Sequence, residues 1–253
     1  MDFLLLLLAG ILAGGMNAIA GGGSFVSFPA MVLVGLPSVA ANASSTVALV
    51  PGSLASAWAY TTGVHRMGLL DLGGVRFPLL LATSVAGGLL GAILLLVTPV
   101  STFDSVIPWL LLLATLAFAF GRQAGAWLRA RLRLGPATLL PVQFLLGIYG
   151  GYFGGAVGIM MLAAWSLLDG AELKALNPTR TLVVAATNAI AVVCFVVANQ
   201  VWWPQTLALL AGGLLGGYAG ARLGQILPAR TVRGVVIATT VAMTLIFFRR
   251  AYG

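Results

Sequence analysis

The sequence predicts an all-α, polytopic membrane protein built of two inverted repeats, each holding a glycine-broken short helix. Three observations predict it. Sixty per cent of the residues are apolar and 7% are charged, against about 45–50% and about 25% in soluble domains. Apolar runs long enough to cross a bilayer recur along the whole chain. The order of long and short runs is also the same in residues 1–121 as in 136–253.

A mean hydropathy of +1.08 leaves too few polar residues to cover a water-facing surface, which a bilayer protein does not need. The 253 residues suit eight to ten membrane segments of about 20 residues or fewer. Membrane lipid is therefore the expected surrounding. The net charge of +8 does not indicate nucleic acid, because the basic residues are scattered at segment ends and not gathered on a face or tail. At such ends they are topology signals. Cys194, the only cysteine, lies mid-helix among Val and Phe, which excludes a disulfide or a thiolate metal site.

Taken in order, residues 3–19 form the first apolar run. Residues 4–8 with Ala18-Ile19-Ala20 resemble a signal peptide. However, Asp2 precedes them with no Lys or Arg, and further hydrophobic segments follow, so this is read as the first membrane helix. Runs at 25–36, 42–64, 72–97 and 103–120 follow, then a basic linker over 122–135. The second set is 138–153, 159–168, 178–198, 206–227 and 232–248. Runs 25–36 and 159–168 are too short to span, since 12 helical residues rise about 18 Å against about 30 Å of hydrocarbon. Each follows glycines: Gly21-Gly22-Gly23 in one case, Gly150-Gly151 and Gly154-Gly155 in the other.

Laying the halves together supports a duplication. At an offset of 135, Gly23 meets Gly158, Gly35 meets Gly170, Asn42 meets Asn177 and Thr46 meets Thr181. Ala86-Gly-Gly-Leu-Leu-Gly91 returns literally as Ala211-Gly-Gly-Leu-Leu-Gly216, and Pro99 and Thr102 match Pro228 and Thr231.

Charge then orients the halves. If each long-plus-short pair is a re-entrant hairpin, each half crosses an odd number of times. Anchoring the linker in the cytoplasm places eleven basic residues inside and only Arg249 and Arg250 outside. If each pair is instead one broken crossing helix, the count is eight against five. The first arrangement obeys the positive-inside rule better, makes the halves inverted and sets both termini outside. In inverted-repeat transporters the site lies at the repeat interface near the midplane.

The glycine clusters carry the chemistry. Unwound backbone at membrane depth is tolerated only against protein or a water-filled cavity. The short helices would start there, presenting free N–H groups of Ser24, Phe25, Ile159 and Met160 beside Gly22, Gly23, Gly155 and Gly158. Two converging N-termini make an electropositive pocket without a buried cation. Gly87, Gly91, Gly212, Gly216 and Gly220 are read differently, as close-packing positions between helices. Asn177-Pro178 reads as an N-cap followed by a helix-starting proline, and Asn42 occupies the matching place. Ser44, Ser45, Thr46, Thr179 and Thr181 line the same first turns. Arg180 stands where the first half has Ser45, either as a cytoplasmic-end arginine or as one that draws an anion inward. Asn188, beside Thr187, lies three turns into its helix opposite Ser53 of the first half, placed to bond a substrate or to join helices.

The absences narrow the function. Asp2, Asp71, Asp104, Asp169 and Glu172 all lie at segment ends, so no carboxylate offers a buried proton relay. His65 is the only histidine and has too few companions for a metal site. No nucleophile has a neighbouring base and no phosphate loop is present. Neither catalysis nor a cofactor is expected.

Gly14-Gly-Met-Asn-Ala-Ile-Ala-Gly-Gly-Gly-Ser24, then Pro29, Gly35 and Ala41-Asn-Ala-Ser-Ser-Thr46, resembles the first repeat of the sulfite exporter TauE/SafE family. The segment Gly147-Ile-Tyr-Gly-Gly-Tyr-Phe-Gly-Gly155 with Gly158, followed by residues 177–181, resembles the second. Ala156-Val157 departs from the regularity of the first cluster. The resemblance implies an inner-membrane permease for sulfur-containing anions such as sulfite or sulfoacetate, often moved outward. A monoanion leaving a negative-inside cell gains about 2.3 kcal/mol per 100 mV, so export needs no proton-coupling carboxylate. The alternatives are an importer of a small anion or another metabolite, and a non-transporting assembly factor, which a linker of about a dozen residues ill supports.

Overall fold

The computed structural model describes residues 1–20, 22–63, 72, 74–129, 136–168, 176–223 and 229–253, without the side chains of 19–20, 56–63, 122, 124–126, 128–129, 136, 177–178, 221–223 and 229–233. Its helices are α1 (Asp2–Ala20), α2 (Ser24–Leu33), α3 (Ser38–Gly63), α4 (Phe77–Val97) and α5 (Val100–Arg129), then α6 (Pro136–Tyr152), α7 (Val157–Trp165), α8 (Asn177–Val197), α9 (Trp203–Leu223) and α10 (Ala229–Tyr252). Among the described residues the one β-type pairing is an isolated Leu72–Val75 bridge, turned about Gly74 at φ +82°. Among the described residues four helices, α4, α5, α8 and α10, are long and apolar enough to cross a membrane. The fold is all-α and polytopic.

Several boundaries differ from the sequence reading for local reasons. The Pro37 carbonyl accepts the amide of Ala41, so α3 begins four residues before Asn42. A proline pre-set for a helix start, preceded by Gly35 at φ +90°, fixes that entry. Asn42 is thus inside the helix and does not cap it. In α8 the N-cap position falls on Leu176, with Asn177 already helical and no side-chain cap bond. Helix α5 continues to Arg129, so residues 122–129 of the anticipated linker are helical, and 130–135 lie outside the described residues.

The strongest packing joins the halves crosswise: α1 lies on α9, and α4 on α6. The repeated hexamer makes this possible. A Cβ added at Gly212 or Gly216 would overlap the carbonyl of Leu7 or Ile11, and one at Gly87 or Gly91 would overlap that of Phe144 or Ile148. The reciprocal glycines fit equally tightly, Gly10 and Gly14 against Leu209 and Gly213, Gly147 and Gly151 against Ser84 and Gly88. Small residues let backbones approach to this distance and pack by dispersion where no hydrophobic force separates helix from lipid. Residue numbers rise together along both pairs, so both pairs run parallel.

The equivalent helices α5 and α10 run the other way. Tyr252 donates to Ser105 O at 2.8 Å, Trp109 donates to Tyr252 Oη at 3.0 Å, and the Thr115 and Thr244 hydroxyls meet at 3.1 Å, a strictly antiparallel register. The short helices double back on their predecessors. A Cβ at Gly23 would lie 2.6 Å from the carbonyl of Ala13 and 2.9 Å from Asn17 Cβ, and one at Gly150 would lie 3.3 Å from Val157. Gly154 at φ +80° and Ala156 at φ +60° make the second reversal. Left-handed geometry suits Gly154 and costs Ala156 about 1–2 kcal/mol.

Phe28 of α2 anchors the core. It stacks on Phe247 at 5.4 Å and meets Phe103 and Phe153 edge-on at 6.5 and 6.1 Å, drawing α5, α10 and the turn after α6 around one ring. Such pairs are worth about 0.5–1.5 kcal/mol each beyond their buried area. Around α7 an apolar cluster that includes Leu80, Val157, Met161 and Val183 is crossed by one chain of buried polar bonds. Trp165 Nε1 donates to Gln143 Oε1 at 2.9 Å, Gln143 Nε2 donates to Ser84 Oγ at 2.8 Å, and Ser84 donates to Leu80 O at 2.7 Å.

Candidate substrate site

Both reversals meet α5 at nearly one level. Phe25, in the first turn of α2, meets Phe118 edge-on at 5.9 Å, and Ile159, in the first turn of α7, lies 3.5 Å from a Cβ placed at Gly121. Between these two helix starts and the facing sides of α3 and α8 lies a cavity of about 200 Å³. Ser24 and Val157–Ile159 come from the short helices, Asn17 and Ala18 from α1. The spacing of Thr46, Leu49 and Ser53, and of Arg180, Thr181, Val184 and Asn188, places each set on one helical face.

The structure brings five of the sequence-predicted site residues to this cavity: Ser24, Gly158, Ile159, Arg180 and Asn188. The others have different surroundings. Asn42 donates its amide to Tyr152 O at 3.0 Å, tying α3 to the second reversal. Ser45 meets Ser27 Oγ at 2.6 Å, while Ser27 also donates to Gly23 O at 3.1 Å, a buried hydroxyl pair that holds α2 on α3. Gly22 faces Phe118 and Val236, and Gly155 faces the ring of Phe153. Thr179 is buried away from the lining. The side chain of Asn177 lies outside the described residues.

Three of the four amides read as free are used within the first turns: Phe25 donates to Gly22 O at 3.2 Å, Ile159 and Met160 to Ala156 O at 3.0 and 3.2 Å. The tight glycine turns supply these acceptors, which the sequence could not reveal. In α7 the amides of Val157 and Gly158 precede them and have no backbone partner among the described residues, as the first positions of a helix require. Arg180 runs beside Gly158, its Cδ 3.5 Å and Nε 3.8 Å from a Cβ placed there. A bulkier residue at 158 would displace the guanidinium.

The electrostatic sign of the cavity follows. Among the described lining residues Arg180 is the one that carries a charge. The N-terminal ends of α7 and α8 add their positive partial charges. Thr46 and Ser53 donate to Asn42 O and Leu49 O, leaving lone pairs toward a ligand. Asn17 was absent from the sequence-based set, although it is a lone amide in apolar α1, four residues before a glycine cluster, and that was its signal. The described residues hold no group of three potential metal ligands.

The profile of the family described as Sulfite exporter TauE/SafE matches residues 6–247. The chain belongs to this family. Curated relatives of this TauE/SafE protein cover nearly its full length. A "Probable membrane transporter protein" of Haemophilus influenzae is 27% identical over 95% of this chain and 92% of its own. "Probable membrane transporter protein ORF9" of a Sinorhizobium species is 28% identical over 95% and 90%, and Escherichia coli K12 "Probable membrane transporter protein YfcA" is 25% identical over 92% and 85%. No solved structure matches the TauE/SafE chain. Family and relatives agree with the helices: the protein is a multi-pass membrane transporter.

Proposed function

We propose that this transporter is a permease for small anions that exports sulfite or an organosulfonate across the cell membrane by alternating access. The observation that carries the reading is the cavity at the two helix starts, where Arg180 and the amide end of α7 border the same space. Helix N-termini and an arginine at one cavity suit a negatively charged ligand. Depth supports the same reading. Trp109 and Trp127 are both exposed on α5 and eighteen residues apart, about 27 Å along the helix. That matches aromatic belts at the two faces of about 30 Å of hydrocarbon. Phe118 and Gly121, where the short helices begin, fall between them, near mid-membrane.

The antiparallel run of α5 and α10 and the doubling back of α2 and α7 support the inverted, re-entrant arrangement, with an odd number of crossings per half. Outward flux of a monoanion then follows the membrane potential. The test is flux of labelled sulfite and methanesulfonate in proteoliposomes under imposed potential. Arg180→Gln removes one charge-assisted contact, about 1.5–3 kcal/mol, so flux at sub-saturating substrate falls roughly 10- to 150-fold while the unfolding temperature holds. Unchanged kinetics would assign Arg180 to topology alone, and absence of saturable flux for any anion would overturn the reading.

A further inference from the structure

On one side the cavity ends against aromatic rings. Three of its walls reach the same cluster within one helical turn. Ser24 of the lining is followed one turn later in α2 by Phe28, Thr46 is preceded one turn earlier in α3 by Asn42, and Gly154 directly follows Phe153. Phe28, Phe103, Phe153 and Phe247 meet there, none more than 6% exposed, and Phe153 also meets Tyr149 edge-on at 6.1 Å. Phe103 lies in the first turn of α5 and Phe247 near the end of α10, so this plug faces away from the basic linker.

Duplication does not account for the plug. Gly14 packs on Gly213 as Gly151 packs on Gly88, Gly23 matches Gly158 and Pro99 matches Pro228. These registers put Met16, Ala163 and Val232 where the plug has Phe153, Phe28 and Phe103. Of the four rings Phe247 alone has an aromatic counterpart, Phe118, which turns to Phe25 at 5.9 Å. The second reversal is also two residues shorter, with seven steps from Gly151 to Gly158 against nine from Gly14 to Gly23. It closes through left-handed Gly154 and Ala156, and strain of that kind gathers in elements that switch.

We propose that the Phe28–Phe103–Phe153–Phe247 cluster is the gate on the face away from the linker, with the α6–α7 reversal as its moving part and Asn42 as the latch. This rests on the alternating access of the reading above and not on the identity of the substrate. The rings differ in how they are anchored. Phe28 follows Ser27, which is bonded to Ser45 at 2.6 Å, and Phe103 and Phe247 sit on helices joined by Tyr252 and Ser105 at 2.8 Å. Beside Phe153 the ties to other helices are the Asn42 bond to Tyr152 O at 3.0 Å and a long one, 3.4 Å, from Tyr152 Oη to Thr98. The reversal is therefore the part that releases most easily.

The experiment follows thiol modification of the full chain, as Cys194→Ala, in bacterial spheroplasts and in inside-out vesicles. The probe is a small membrane-impermeant anionic methanethiosulfonate. Ser53→Cys reports the cavity, about 16 Å along α3 from the latch, and exposed Ser101→Cys reports which membrane face carries the plug. From that face Ser53→Cys should react slowly while the plug is intact. Each ring pair is worth about two- to twelvefold in the closing equilibrium. Phe153→Ala loses the pairs with Phe28 and Tyr149, so it should speed modification from that face about five- to 150-fold. Asn42→Ala leaves every ring in place and should speed it about two- to twelvefold. Modification from the opposite face should not rise. Trp165→Phe, a loss outside the plug, should leave both rates unchanged. Rates unmoved by both Phe153→Ala and Asn42→Ala overturn the gate, and so does an equal rise in Trp165→Phe, which would mean general loosening. Ser53→Cys reacting from the plug's face as fast as Ser101→Cys, with the plug intact, also overturns it. A thiol at 53 that reacts from neither face in any variant overturns the alternating access beneath it.

Discussion

Replacing Gln143 by leucine tests whether the short helix α7 is held by polar bonds or by shape. Ser84, Gln143 and Trp165 are all fully buried, and Gln143 makes both of the bonds that join α7 to α4 through α6. Gln143→Leu keeps the volume. Ser84 still donates to Leu80 O, so the group left orphaned is the indole N–H of Trp165, which costs about 1–3 kcal/mol. Interhelical bonds in membrane bundles average about 0.6 kcal/mol and reach about 1.7, so a loss near 2 kcal/mol is expected for this variant. Trp165→Phe costs a similar amount, from lost ring area and an unpaired Gln143 Oε1. The double variant leaves no orphan, so its cost should fall short of the sum by about 1–2 kcal/mol. The molecule contains its own control: Gly10 and Gly14 meet Leu209 and Gly213 as Gly147 and Gly151 meet Ser84 and Gly88, so Leu6 and Leu209 stand where Gln143 and Ser84 do, and Ala30 matches Trp165 at the offset of 135, all buried and apolar. Reversible unfolding in mixed detergent micelles, followed by tryptophan-independent circular dichroism, measures the cycle. Additivity within about 0.5 kcal/mol would refute the network and leave packing alone to hold α7.

Two further substitutions probe the backbone contacts in the same unfolding assay. Gly216→Ala places a methyl on the Ile11 carbonyl and should cost about 1–3 kcal/mol by forcing α1 from α9. Gly234→Ala, where nothing lies within 4 Å, should stabilise by up to about 1 kcal/mol; equal effects would mean the glycine contacts carry no packing role. Asn42→Ala removes the donor to Tyr152 O and should cost about 1–2 kcal/mol. It should also raise protease sensitivity around the Phe153–Ala156 reversal, and an unchanged digestion pattern would show that the bond does not hold that turn.

Much of this was legible because glycine and length speak plainly in a membrane chain. Ten residues in α2 and nine in α7 cannot span, and their glycine clusters announce the reversal. The hexamers at 86–91 and 211–216 were rightly read as packing surfaces, although their partners, α6 and α1 of the opposite halves, could not be read from either hexamer. Asn42 misled because a polar residue four positions into a helix looks like a cap when the Pro37 start signal is passed over. Ser45 stands where the second half has Arg180, but its short hydroxyl is taken up by Ser27, while the long Arg180 side chain reaches the cavity; Thr179 is buried outside the lining.

The crosswise pairing of α1 with α9 has a consequence for biosynthesis. Helix α4 meets α6 soon after both are made, but Gly14 meets Gly213 only after roughly 200 further residues have been translated, a separation that slows native pairing. Helix α1 therefore waits in the bilayer with its glycine groove uncovered until α9 arrives. A chain that stalls after α8 leaves that groove open, so its closing comes late in assembly, with only the docking of α10 on α5 still to follow.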